Sequence, residues 1–129
     1  MKKLTLIISI IILPISVFAS DVYYCSDDAL TGFNPKNNFK QQNYNPSKFK
    51  IMIDFKNENI VSDDIYFPKN GGKCITDEIT KDKTLYCISI IGNAFSINKT
   101  NLKFIRSSMM NRMDSKDDIY IGYGSCQKF

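Results

Sequence analysis

There is no histidine and no tryptophan among the 129 residues. The first absence removes the side chain that most often acts as a general base near neutral pH and most often ligates metals. Only two Glu accompany eleven Asp, so carboxylate pairs for acid–base work are few. Four Pro and six Gly exclude a collagen-like or linker-like composition. No glycine-rich phosphate loop and no nucleophile elbow occurs. No two cysteines form a Cys-x-x-Cys pair, which weakens a thiolate metal site. A chain that is 43% hydrophobic and 23% charged nevertheless has the makeup of one folded domain.

What is present begins with a leader. Lys2 and Lys3 precede an apolar run from Leu4 to Phe18, and Val17-Phe18-Ala19 offers small residues where a signal peptidase reads. The run is about 15 residues, short of the ~20 a spanning helix prefers. We expect cleavage after Ala19, leaving residues 20–129 as one exported domain, periplasmic or secreted, with no stable membrane insertion. Val22-Tyr23-Tyr24 before Cys25 lacks the small residues of a lipidation box. Cys25, Cys74, Cys87 and Cys126 all lie in that domain, and an even count in a small exported chain reads as two disulfides. Four cysteines allow three pairings. The favoured one is Cys74–Cys87, closing a local turn-rich loop, with Cys25–Cys126 tying the ends.

The net charge of +4 comes partly from the leader, and elsewhere the two signs are interspersed. Only the segment after Leu102 has a basic surplus. Lys36, Lys40, Lys48 and Lys50 alternate loosely with Phe33, Phe39, Tyr44 and Phe49, without the basic density that displacing counterions demands. No nucleic-acid partner is expected.

Alternation dominates the rest. Phe49, Ile51, Ile53 and Phe55 share one face of a strand, with Lys50 and Asp54 on the other. Further strands are expected at Val22–Cys25, Ile60-Val61 with Ile65–Phe67, Cys74-Ile75, Leu85–Ile91, Ala94–Ile97, Leu102–Arg106 and Ile119–Cys126. Gly92-Asn93 marks a hairpin. Residues 26–47, rich in Asn, Lys, Pro, Gly and Gln, read as a loop or a poorly regular segment with contact potential. A helical turn is expected from Thr76, and Ser107–Met113 fits a short helix or a continued strand. Gly122 and Gly124 inside the last strand suggest a bulge or a close backbone approach. Asp63-Asp64-Ile65-Tyr66 recurs as Asp117-Asp118-Ile119-Tyr120, a thin hint of related hairpins. The fold class is all-β, a small antiparallel barrel or sandwich of about 6–8 strands.

Candidates for chemistry are sparse. The acidic turns Ser26–Asp28, Ser62–Asp64 and Asp114–Asp118 could offer oxygen to calcium, yet none has calcium-loop spacing, and Asp and Ser favour turns on their own account. Met109, Met110 and Met113 could hold Cu(I) but have no His or free Cys beside them, and Met also fills core gaps. Asp54 and Glu58 are the only carboxylate pair that merits a glycosidase reading. No cofactor is expected. The aromatic content, 12%, is high enough to serve both core and contacts.

The leader, the Tyr23-Tyr24-Cys25 opening, the alternating strands and the closing Gly122-Tyr123-Gly124-Ser125-Cys126 give a layout that resembles small exported, disulfide-bonded β-barrel proteins of Gram-negative bacteria. The periplasmic inhibitors of lysozyme are the best-known comparison. That resemblance implies a small binding barrel. No inhibitor motif falls on a residue here, so it assigns no functional side chain. The expectation is a non-enzymatic binding protein for a protein or envelope component, with Phe33, Phe39, Tyr44, Met109, Met110 and Met113 as contact residues. The alternatives are an envelope glycan hydrolase using Asp54 and Glu58, or a carrier of a small apolar ligand.

Overall fold

The computed structural model describes residues 20–62, 72–77, 83–109 and 118–129. The expected leader, the Ile65–Phe67 strand and the first Asp-Asp-Ile-Tyr copy lie outside the described residues, as do positions 110–117. Nine strands form one antiparallel sheet: β1 (Asp21–Asn34), β2 (Lys40–Asn43), β3 (Lys48–Asp54), β4 (Asn59–Ser62), β5 (Gly72–Thr76), β6 (Thr84–Ser89), β7 (Asn93–Asn98), β8 (Lys103–Ser108) and β9 (Ile119–Lys128). Their order is β4-β3-β1-β9-β8-β7-β6-β5, with β2 paired to the far part of β1. The sheet curls until β4 and β5 approach, which makes a nearly closed barrel. Across that seam the Thr76 N–H donates to Glu58 Oε1 at 3.0 Å.

The strands form where inward positions are apolar at a spacing of two. Tyr23, Ile51, Ile53, Ile60, Leu85, Phe95, Ile97 and Phe104 fill the interior together with Cys25, Cys87 and Cys126. Phe95 stacks on Phe104 at 5.4 Å, and Phe49 meets Phe104 edge-on at 5.4 Å. Toward the other end the inward residues turn polar, with Asp27, Ser62, Ser89, Asn93 and Ser108 all buried.

Two expectations need correction. Residues 26–47 are not a loop: β1 runs on to Asn34, and a one-turn 3₁₀ helix (Pro35–Asn37) leads into β2. The register of β1 shifts between Asp27 and Ala29 opposite β9, and this bulge hides the continued strand from a simple alternation test. Lys40-Gln41-Gln42-Asn43 has no apolar face because it pairs only with β1. The count is therefore nine strands, above the six to eight expected.

Other expectations hold. Gly92, at φ 89°, makes the β6–β7 hairpin, where its N–H donates to Ser89 O at 3.1 Å. Ile90 and Ile91, expected in the strand, belong instead to that turn, since β6 ends at Ser89. Ser107 and Ser108 continue β8 as strand. Gly122 and Gly124 sit opposite the bulge, and a Cβ on Gly124 would lie 2.0 Å from Ser26 O. Cys25–Cys126 joins β1 to β9 and Cys74–Cys87 joins β5 to β6, each at a Cα separation of 4.0 Å. Two such bridges belong to an oxidising, exported compartment.

Candidate functional site

The candidate catalytic pair serves the turn instead. Asp54 Oδ1 accepts the N–H groups of Lys56 and Asn57, each at 3.0 Å, and Asn57 Nδ2 donates to Asp54 Oδ2 at 2.6 Å. The Asn57 side chain, then its backbone N–H, holds the Asp54 carboxyl below its ordinary value of 3.8. A general acid needs the opposite shift. Glu58, at φ 52°, is engaged with Thr76 across the seam.

Of the acidic turns, Asp27 is committed inside the barrel. Its carboxylate receives Arg106 Nε at 2.9 Å and Arg106 Nη2 at 2.5 Å, and also the N–H and hydroxyl of Ser47 at 3.0 Å each. Arg106 lies over the Phe49 ring at 4.7 Å and near Tyr120 at 5.4 Å. The two charges come from β1 and β8, and β9 lies between those strands. Gly122 and Gly124 leave the space through which the pair reaches across. Buried, bidentate and with its lone pairs used, this cluster fastens the 44–47 segment to the barrel. Among the described residues no group of three His, Cys, Asp or Glu is placed to hold a metal ion.

The expected contact residues divide. Phe33 and Phe39 are exposed on the β1–β2 hairpin, and Met109 is exposed after β8. Tyr44 is half-buried against Tyr120, with ring centroids 6.5 Å apart. Burial, aided by the Asp118 charge, pushes its phenol above the usual 10.0. Met110 and Met113 lie outside the described residues.

The outer face carries a feature that pattern reading missed. In register, Ile75 lies opposite Tyr86, Ile88 opposite Ala94, Ser96 opposite Ile105, and Ile105 opposite Tyr123. Ile88 is 62% exposed, Ile105 54% and Tyr123 57%. The belt continues through Ile121 and Ile119, the latter opposite Phe33, so one expected contact residue joins it. Its middle dips at Ala94 and Ser96 into a groove of about 200 Å³ walled by Tyr86, Ile88 and Ile105. Met109, exposed just after β8, donates its N–H to Gly92 O at 3.2 Å. The available signal was the run Leu85–Ile91, which is nearly all apolar where a half-buried strand alternates.

The neighbouring flank, which shares β9 with the belt, differs in chemistry. Over β3, β1 and β9 an open cleft of about 510 Å³ is lined by Tyr24, Ser26, Lys48, Lys50, Ser125 and Gln127. No family model, no curated protein and no solved structure matches the chain.

Proposed function

We propose that this chain is an exported, non-enzymatic binding protein whose principal contact surface is the apolar belt on β5–β9. The carrying observation is the exposure of Ile75, Ile88, Ile105, Ile121 and Tyr123 as neighbours on one outer face. Contiguous apolar surface of this kind marks interaction sites on monomeric proteins. Its groove offers a small-residue floor between bulky walls, the shape that receives an anchoring side chain. The partner is a protein or a proteinaceous envelope component. Asp54 and Glu58, held by turn and seam, support binding over hydrolysis. Residues 1–19 act as the leader, cleaved after Ala19, which delivers the domain to the periplasm or the exterior.

Site-specific photocrosslinking in the exporting cell tests this reading. A crosslinker at Ile105 or Tyr86 is expected to trap a discrete partner, and one at Lys56 is not. Ile105→Arg should abolish the adduct formed from Tyr86. Identical adducts from both faces, or turnover lost in Asp54→Asn with Glu58→Gln, would overturn it. A denatured mass beginning at Ser20 and lacking about four protons checks cleavage and both disulfides.

A further inference from the structure

The cleft over β3, β1 and β9 has a construction of its own. Lys48 lies opposite Ser26, Ser26 opposite Ser125, and Ser125 opposite Lys103, so one row carries two serines with a lysine at each end, Lys48 lining the cleft and Lys103 on the next strand beyond it. In the next row Lys50, Tyr24 and Gln127 are neighbours. The Tyr24 ring stands half-exposed and is steadied edge-on by Phe129 at 5.6 Å. Among the described residues no carboxylate lies within ion-pair distance of Lys48 or Lys103. β1 is paired on both sides here, so its backbone has no free ladder groups to offer an added strand. A ligand must be read by side chains.

Those side chains define the ligand. Serine hydroxyls and a glutamine amide both donate and accept, which suits hydroxyl groups that do the same. A steadied, exposed aromatic face suits the flat underside of a sugar ring, and flanking ammonium groups suit carboxylates. We propose that this cleft binds an acidic oligosaccharide, with Tyr24 under a sugar ring, Ser26, Ser125 and Gln127 on its hydroxyls, and Lys48 and Lys103 on its carboxylates. The site borders the apolar belt, where Lys103 precedes Ile105 on β8 and Ser125 follows Tyr123 on β9, but it does not require the belt's partner.

Titration of the oxidised exported protein with trigalacturonate, followed by amide NMR, tests the assignment. Saturable shifts are expected at Ser26, Ser125 and Gln127. Affinity should fall about tenfold in Lys48→Gln and about tenfold in Lys103→Gln, as expected for charge-assisted contacts. Tyr24→Ala should weaken binding by a similar factor, while Tyr24→Phe keeps the ring and the affinity. Ile75→Arg and Lys83→Gln should change nothing, and the methyl ester of the same trisaccharide should bind much more weakly. Shifts absent at millimolar ligand or centred elsewhere would overturn the proposal. Equal affinity for oligo-aspartate or for inorganic phosphate would also overturn it, by showing a site that reads charge alone.

Discussion

The two outer flanks of the barrel stand on similar interiors and face water with opposite chemistry. Over β5–β8 the outward residues include Ile75, Tyr86, Ile88 and Ile105, whereas over β3, β1 and the end of β9 they include Lys48, Lys50, Ser26, Ser125 and Gln127. Beneath each flank lies one disulfide, Cys74–Cys87 under the first and Cys25–Cys126 under the second. The inward alternation that makes both flanks fold leaves the outward positions unconstrained. The proposed function places recognition where stability is nearly indifferent.

The largest expected difference between the flanks lies in their disulfides. Replacing Cys25 and Cys126 by Ser releases a closure of 101 residues, and replacing Cys74 and Cys87 releases one of 13. In the chain-entropy model the losses are about 5 and about 3 kcal/mol, to be compared by urea midpoints. Next is the Asp27–Arg106 pair, which braces the lysine flank from within. Asp27→Ala strands a mostly buried guanidinium and should cost roughly 3–5 kcal/mol, with Arg106→Met in the same chain recovering part of that loss. Ile105→Arg is expected to leave the melting midpoint almost unchanged, within about 0.5 kcal/mol, while removing partner capture. If that substitution unfolds the domain, the belt is core and the contrast between flanks collapses.

The smallest effect concerns pH. Asp54 is held low by Asn57, so its contribution is present above the unfolded carboxyl value and lost as pH falls through the lower folded value. Asp54→Asn should converge with the parent in acid melts and diverge from it near neutrality. Divergence that grows on acidification would contradict the turn role given to Asp54.

Much of the barrel was legible because apolar residues recur at a spacing of two. Phe49–Phe55 reads directly as β3, and Ala94–Ile97 as β7 after its Gly92-Asn93 turn. Loop length and position favoured the disulfide pairing found here, but three pairings stayed open in the sequence. β2 was illegible because an edge strand with polar faces leaves no pattern, and β1 was cut short because its bulge changes phase at Asp27. The lysine cleft was hidden for another reason. Ser26, Lys48, Lys103 and Ser125 are distant in sequence, and they become neighbours only through registers set by strand pairing. The belt gave a fainter trace, in the one apolar run that failed to alternate.

The pairing of β1 with β9 sets an order of events for a chain made from its N-terminus. Cys25 is the first thiol to emerge and Cys126 the last, so the bridge that locks these strands waits for the whole sheet. During that wait the next thiol to arrive is Cys74, whose proper partner follows 13 residues later. The short closure is the faster one, which keeps Cys74 from its wrong partner. Any Cys25–Cys74 bridge formed in the interval has to be undone by thiol exchange before β9 can dock. Oxidation alone suffices for chains in which Cys74 meets Cys87 first, and a compartment that also reshuffles sulfur rescues the others.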